Sequence, residues 1–179
     1  AGNRLTSGDV HGEWLYGANN ELISYGAISF EYDDNGNMVR RRSEADTIAC
    51  TYNEEDRLIR VEREGGAVIG RYYYDPFGRR LWKDAGGVRT YFFYCDEGLA
   101  GEHDAAGVQL RAYGYRPDGM WTTDPLFMKQ GGQHYYYLND HLGTPMQMVD
   151  GKGNRVWAAQ YESFGKAEVA GASTVTNNL

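Results

Sequence analysis

Residues 72–81 form the stretch that decides the fold, Tyr-Tyr-Tyr-Asp-Pro-Phe-Gly-Arg-Arg-Leu. An aromatic run that ends at Tyr74 is typical of a strand on a pleated, half-buried surface. Pro76 presets its own backbone angle, and Asp75 can hydrogen bond back to the chain, which is the chemistry of a turn. Arg80-Leu81 then opens a second strand. The stretch therefore predicts a β-hairpin.

The same plan recurs along the chain, which predicts a repeat architecture. The tyrosines at the anchor position recur every 20 to 22 residues, at Tyr32, Tyr52, Tyr74, Tyr94, Tyr115 and Tyr137. Similar segments lie at 14–22, 30–39 and 51–59, and looser copies lie at 91–99, 113–119, 135–143 and 160–166. A second turn in each repeat is predicted at 64–66, 85–87, 104–107 and 150–154. In the copy at 30–39, Asn35-Gly36 predicts a type I′ turn.

Two strands and two turns per repeat predict an all-β fold, a single antiparallel array of β-hairpins over residues 1–179. One hairpin buries too little surface to be stable alone, so neighbouring hairpins must supply its core. Accumulated right-handed twist predicts a curved sheet that curls into a spiral or a barrel-like wall. We expect the chain to be a fragment of a longer repeat core, since it begins with Ala1-Gly2-Asn3-Arg4 rather than Met. Its first and last strands would then be exposed edges. Monomer and edge-to-edge association both stay open. Because Tyr72–Tyr74 and Tyr135–Tyr137 place aromatics on both faces, the lumen face is also open.

The composition argues against several classes of function. The chain has 15 Tyr and 24 Gly, which favours strands and turns over helices. A net charge of −7 and a pI near 5.1 argue against nucleic acid as a partner. The basic run Arg40–Arg42 is followed by Glu44 and Asp46, so we expect a solvated strand face there. The sequence has no apolar stretch that could span a membrane and no targeting signal. Cys50 and Cys95 lack metal-site spacing, and their redox state is open.

Two motifs carry a resemblance to a known family. Residues 74–81, Tyr-Asp-x-x-Gly-Arg-Arg-Leu, and residues 137–145, Tyr-Leu-Asn-Asp-His-Leu-Gly-Thr-Pro, closely resemble motifs of the Rhs and YD-repeat proteins. The resemblance runs from Gly2 to about Gly165. The family includes bacterial polymorphic toxins, the C component of insecticidal toxin complexes, and the animal teneurins.

The resemblance implies a spiral β-shell that, in the bacterial members, encloses a variable C-terminal toxin. It also implies a Pro- and Gly-containing motif at the end of the repeats, which supports self-cleavage. Residues 124–127, Asp-Pro-Leu-Phe, match that motif only superficially because the following glycines are missing. No cleavage residue is therefore carried over to this chain.

No catalytic, cofactor-binding or metal-binding residue is assigned. The strongest metal candidate places oxygen donors at Asp33, Asn35, Asn37 and Glu44, which are positions one, three, five and twelve of a calcium loop. Met38 occupies the position where that loop needs glycine, and the flanks are predicted strands rather than helices. We therefore favour a simple turn.

The remaining chemistry-bearing residues form no constellation. Asp140-His141 invites an acid–base interpretation, but adjacent strand residues point to opposite faces, so a turn or buried role is favoured. The other histidines have no ligand spacing: His11, His103 and His134. The serines lack a Gly-x-Ser-x-Gly context: Ser7, Ser24, Ser29, Ser43, Ser163 and Ser173.

The sequence thus predicts a non-catalytic structural module of a secreted or cell-surface protein. Its partners would be the remaining repeats and the C-terminal toxin segment of the parent chain. The alternative is a module that binds carbohydrate or protein through exposed aromatics, for which the tryptophans are candidates: Trp14, Trp82, Trp121 and Trp157. Buried repeat tyrosines would favour the shell, and large exposed aromatic patches would favour binding.

Overall fold

The computed structural model describes residues 3, 5, 12–163 and 165–179, and it divides into two compact units, residues 1–89 and 90–179. The described residues form strands and turns, without a helix. The strands are β1 (Trp14–Tyr16), β2 (Leu22–Tyr25), β3 (Ile28–Tyr32), β4 (Met38–Arg42), β5 (Thr47–Tyr52), β6 (Leu58–Arg63), β7 (Val68–Tyr74), β8 (Arg80–Ala85), β9 (Val88–Cys95), β10 (Gly98–Asp104), β11 (Gln109–Tyr115), β12 (Pro125–Gln130), β13 (Gln133–Asn139), β14 (Pro145–Asp150), β15 (Arg155–Tyr161) and β16 (Ala167–Val169).

Each unit is a meander of antiparallel hairpins. In the first unit, every strand from β1 to β7 pairs with the strand that follows it. In the second unit, every strand from β9 to β15 does the same. The predicted all-β array of antiparallel hairpins is confirmed, and the strand-ending position of Tyr32, Tyr52, Tyr74 and Tyr115 is confirmed with it. The prediction is wrong for the other two anchors, since β9 continues past Tyr94 to Cys95 and β13 continues past Tyr137 to Asn139.

One residue at the start of each long turn organises it. Its side-chain oxygen accepts hydrogen bonds from the backbone N–H groups two and four residues later, at N···O distances of 2.8–3.1 Å. This occurs at Asp33, Asn53, Asp75, Asp104, Asp140 and Asp150. The aspartate of the Tyr-Asp motif is therefore a turn-forming residue, since it pairs backbone groups that have no strand partner. The second turns predicted at 64–66, 85–87, 104–107 and 150–154 are confirmed.

The type I′ turn predicted at Asn35-Gly36 is wrong. Gly36 has φ +84°, but Asn35 is not in the positive-φ region, which a type I′ turn requires at both central residues. The Gly36 N–H instead donates to the Asp33 carbonyl at 3.0 Å, and the Asp33 N–H donates to the Asn37 carbonyl at 2.9 Å. Because Asp33 holds two further N–H groups, the loop is longer and ends in a left-handed glycine. The two positive φ angles of a type I′ turn occur at Gly86-Gly87, +60° and +82°.

The strand-ending residue of the motif ties neighbouring strands together. The hydroxyl of Tyr32 donates to the carbonyl of Leu22 at 2.9 Å, and the hydroxyl of Tyr52 donates to that of Met38 at 3.1 Å. Leu22 and Met38 are the first residues of the preceding strands, β2 and β4. In the second unit, Tyr161 and Asn139 make the same contact with Pro145 and Pro125, at 2.8 and 2.9 Å. Each contact satisfies a carbonyl at the point where pairing stops.

The two units differ in how deeply they bury side chains. In the first unit, only Gly70 and Asp75 are buried among the described residues. In the second unit, a hydrophobic core forms on one face of the sheet from Tyr113, Tyr115, Met128, Tyr137, Met148, Trp157 and Ala159. The candidate functional site therefore lies in the second unit, where these side chains are buried.

Candidate functional site

The core of the second unit is a face built from alternate strand residues. Tyr113 and Tyr115 share this face because they are two residues apart on β11. Met128 lies opposite Tyr113 in the register, and Met148 lies opposite both Tyr137 and Trp157. Both methionines are 0% exposed. A flexible thioether between aromatic rings fills the gaps that rigid rings leave. We call these six residues the tyrosine face.

Residues 170–179, the covering segment, lie against this face. The Ala170 N–H donates to the Ala158 carbonyl at 2.9 Å, and the Thr174 N–H donates to the Val156 carbonyl at 2.8 Å, so the segment starts along β15. Val175 and Leu179 then pack against the hydrophobic core. The face is thus closed by a stretch of the same chain that follows the last strand.

A buried carboxylate lies beside the tyrosine face. Glu102, on β10, is 1% exposed. Its oxygens accept hydrogen bonds from the Tyr113 hydroxyl at 2.5 Å, the Arg111 guanidinium at 3.2 Å, and the Asn178 amide nitrogen at 2.9 and 3.1 Å. Burying a charge is costly unless it is paired and hydrogen bonded, and here three side chains supply those partners.

Two buried tyrosine hydroxyls act as donors at this place. Burial, and after it the hydrogen bond to Glu102, raise the pKa of Tyr113 far above its ordinary value. Burial likewise raises the pKa of Tyr137, whose hydroxyl donates to the Asn177 side-chain oxygen at 2.8 Å. Both phenols therefore stay protonated, and the arrangement is equipped to bind side-chain amides of a peptide.

The family follows from a comparison with models of known families. Residues 2–173 match the model described as Teneurin YD-shell. The chain belongs to the teneurin YD-shell family. The range agrees closely with the predicted extent of the Rhs/YD-repeat resemblance, which is confirmed.

The relatives of this YD-shell chain are much longer proteins. It is 30% identical over 180 residues to Double-stranded DNA deaminase toxin A of Burkholderia cenocepacia (strain H111), which covers 86% of this chain and 12% of the toxin. It is 23% identical over 156 residues to Teneurin-3 of Danio rerio, which covers 84% of this chain and 6% of the relative. The solved structure of TcdB2-TccC3 without hypervariable C-terminal region covers 78% of this chain and 10% of that chain, at 14% identity and a TM-score of 0.43.

The calcium candidate of the YD-shell chain is occupied by turn contacts. One Asp33 oxygen accepts the N–H groups of Asn35 and Asn37, and the other accepts the Asn37 side-chain amide at 3.1 Å. Within the described residues, no three His, Cys, Asp or Glu side chains are grouped to hold a metal ion. Asp33 thus has the turn role that the sequence favoured.

Asp140 has the same role in the 137–145 motif. Its carboxylate accepts the N–H groups of Leu142 and Thr144, each at 2.9 Å. The hydrogen bond from the Thr144 N–H is the main cause of its lowered pKa, and the charge of His141 contributes less. The contacts of Asp140 are those of a turn residue, as favoured over an acid–base pair.

The basic run lies on β4 in ion pairs. Arg40 and Arg42 each lie 2.8 Å from a Glu31 carboxylate oxygen, and Arg41 lies 3.5 Å from Asp46. Arg42 is half-exposed, with 52% of its side chain accessible. These contacts support the predicted solvated strand face.

The remaining candidates are dispersed among structural contacts. His103 packs edge-on against Phe93, with ring centroids 4.7 Å apart, and His134 packs against Phe127 at 5.7 Å. Cys50 and Cys95 are free thiols. Three further positions named from the sequence, His11, Ser7 and Phe164 of the 160–166 copy, lie outside the described residues. Among the described residues, there is no long apolar helix of the kind that crosses a membrane.

The tryptophans have four different environments. Trp157 is buried at 4% exposure, whereas Trp121 is 46% exposed and stacks on Tyr94. Trp14 stacks on Tyr25 with ring centroids 4.8 Å apart. Trp82, on β8, stacks on Tyr73 of β7 with ring centroids 5.9 Å apart. The Arg89 guanidinium, on β9, lies 4.2 Å from the centroid of the Trp82 ring. They do not share one arrangement that would form a sugar platform.

The roles of Glu102 and the covering segment could not be predicted from the sequence. A single glutamate in a strand carries no motif, and its contact with Asn178 spans 76 residues. The segment itself contains none of the Tyr-Asp-Gly pattern that marks the repeats. Only the three-dimensional structure brings the two together.

Proposed function

We propose that this chain is a non-catalytic segment of a hollow β-shell that encloses a C-terminal passenger of its parent protein. The observation that carries the proposal is the covering segment, residues 170–179, which lies on the tyrosine face of the second unit. In this unit, a sheet face covers the segment that follows the last strand. A shell would cover a C-terminal passenger in the same way, with many more strands.

The chemistry of the repeats supports a structural role. The aspartates of the long turns are engaged with backbone N–H groups, and the strand-ending Tyr32 and Tyr52 are engaged with backbone carbonyls. Groups used in this way stabilise a wall, because an antiparallel array satisfies its backbone strand by strand. Twist accumulated over many hairpins would curve such a wall around a lumen.

The relatives support a passenger that is itself a toxin. One relative is named as a toxin, and this chain covers 12% of it, which leaves ample length for other repeats and for a passenger. We assign no deaminase chemistry to this chain. Its proposed partners are the remaining repeats and the passenger, and we place the parent protein outside the cell or at its surface.

Limited proteolysis of the parent protein tests the proposal. The C-terminal passenger should be cleaved far more slowly in the parent than when it is produced alone, under the same protease concentration. Unfolding the repeats with denaturant below the midpoint of the passenger should remove that protection. Equal cleavage rates in the parent and the free passenger would refute encapsulation.

A protein-binding surface is the second candidate. It is favoured by half-exposed apolar side chains in the second unit, Leu126 at 47%, Tyr136 at 46% and Leu138 at 50%. Carbohydrate binding has weaker support, because Trp157 is buried and Trp82 is packed against its neighbours. Substituting Tyr136→Ser should abolish capture of a protein partner while leaving passenger protection unchanged, if this second function is the true one.

A further inference from the structure

The contact between Glu102 and the covering segment has the chemistry of a specific receptor. The Asn178 amide nitrogen donates to both oxygens of the Glu102 carboxylate, at 2.9 and 3.1 Å. The carboxylate is buried, so little water is present to compete for the Asn178 amide. A hydrogen bond to a charged group is among the stronger single contacts available to a peptide side chain.

The neighbouring residues hold the carboxylate in place and add a second contact of opposite sense. Arg111 and Tyr113 both donate to Glu102, which leaves the carboxylate accepting from Asn178 at a fixed position. One residue earlier, Asn177 is an acceptor, because its side-chain oxygen receives the Tyr137 hydroxyl at 2.8 Å. Two adjacent asparagines are thus recognised in opposite ways.

We propose that Glu102 and Tyr137 form a binding site for an Asn-Asn peptide, which fixes the register of the covering segment on the tyrosine face. Glu102 selects a side chain that donates, and Tyr137 selects one that accepts. A shift that brings Asn178 and Leu179 to the two positions loses the donor, because Leu179 offers neither function, whereas the opposite shift replaces the amide oxygen of Asn177 by the shorter hydroxyl of Thr176. The occupant is this chain's own residues 170–179.

Substituting each asparagine by aspartate separates the two roles. In Asn178→Asp, a carboxylate replaces the donor and faces the Glu102 carboxylate, so the segment should detach. In Asn177→Asp, the matched control, a carboxylate oxygen still accepts the Tyr137 hydroxyl and the Leu179 N–H. Only the 3.2 Å donation from the Asn177 amide to the Leu179 carbonyl is lost, so the segment should stay. Losing a hydrogen bond to a charged group corresponds to an increase of about tenfold or more in the detached population.

Oxidation of methionine by hydrogen peroxide, followed by mass spectrometry of the full chain, measures that population. Met128 and Met148 are fully buried in the core that the segment packs against, and Met120, 78% exposed, is an internal reference within the same unit. Relative to Met120, the two buried methionines should oxidise about tenfold faster in Asn178→Asp, and within about threefold of the unchanged rate in Asn177→Asp. Equal rates in the two variants would overturn the proposal.

A swap of the two groups tests it independently of any general loss of folding. In the double variant Glu102→Gln with Asn178→Asp, a glutamine amide can donate to an aspartate carboxylate, so the contact is restored with its direction reversed. Oxidation of Met148 should return to within about threefold of the unchanged chain. A double variant that oxidises as fast as Asn178→Asp would show that Glu102 does not recognise residue 178.

This inference deepens the proposed function but is tested apart from it. The oxidation experiment uses residues 1–179 alone, whereas encapsulation is tested by proteolysis of the parent protein. If the double variant fails to restore protection of Met148 while the passenger stays protected in the parent, the Asn-Asn binding site is refuted and the shell proposal stands. If the double variant restores protection of Met148 while the passenger is unprotected in the parent, the Asn-Asn binding site stands and the shell proposal is refuted.

Discussion

Replacing Met148 by alanine should destabilise the second unit by about 3 kcal/mol. Met148 is 0% exposed and lies opposite Tyr137 and Trp157, so truncation leaves a cavity between two rings. Losing the buried atoms past Cβ removes about 2 kcal/mol of transfer free energy. The unfilled cavity adds about 1 kcal/mol, since the rings on either side are held by their strands and cannot close the gap.

Urea unfolding followed by tryptophan fluorescence measures this loss, since Trp157 lies across from the substituted residue. At a slope of about 2 kcal/mol per molar urea, the midpoint should fall by about 1.5 M. Met120→Ala makes the same chemical change at a side chain that is 78% exposed, and it should cost less than about 0.5 kcal/mol. If the two variants unfold within about 0.2 M of each other, roughly a sixth of the interval the urea slope predicts, the tyrosine face is not a packed core.

Three further outcomes follow from the repeat chemistry. Tyr52→Phe should lower the free energy of unfolding by about 1 kcal/mol through loss of its hydroxyl hydrogen bond, whereas Tyr73→Phe, at a side chain 55% exposed, should change it little by the same urea assay. Gly153→Ala should cost about 1 kcal/mol because φ is +83°, whereas Gly151→Ala in the same turn, with no positive φ and open space, should be neutral in thermal unfolding. The pKa of Asp150 is lowered from 3.8 in the folded chain, so its stabilising effect is present above about pH 4 and is lost as the pH falls through the folded pKa. Asp150→Asn should therefore flatten the acid limb of a stability-against-pH curve, and an unchanged limb would contradict this role.

The hairpins could be predicted because their causes are local. Asp75 reaches backbone N–H groups only two and four residues away, and Pro76 sets its own angle. Tyr74 ends a strand because the turn chemistry begins at the next residue. A pattern of this kind is visible in ten consecutive residues, and repetition confirms it without any knowledge of packing.

The detail of one turn could not be predicted from its dipeptide. Asn35-Gly36 is the usual signal of a type I′ turn, but that signal assumes a two-residue loop. Asp33, two positions earlier, holds the N–H groups of Asn35 and Asn37 and so fixes a longer loop in which only Gly36 needs a positive φ. A side-chain contact overrode the backbone preference of the pair.

The candidate site could not be predicted because it depends on distant residues. Glu102 meets Asn178 across 76 positions, and nothing in either neighbourhood marks the pair. Alternation left the packed face open, because Tyr135–Tyr137 place aromatics on both faces of one strand, and the structure packs Tyr113, Tyr115 and Tyr137 on one face. It gave no sign of what would lie on top of them.

The Tyr-Asp motif divides two tasks that every hairpin end must solve. Pairing stops at a strand end, which leaves N–H groups in the turn and carbonyls at the start of the neighbouring strand without partners. The aspartate binds the first set, as Asp33 does, and the tyrosine binds the second, as Tyr32 does with Leu22. Where both polar groups bind the backbone, as at Tyr32 and Asp33, the motif specifies a wall, whereas at Tyr137 the hydroxyl donates to the Asn177 side chain instead. Recognition then depends on residues between the motifs, such as Glu102, together with a motif tyrosine whose hydroxyl does not bind a carbonyl, such as Tyr137.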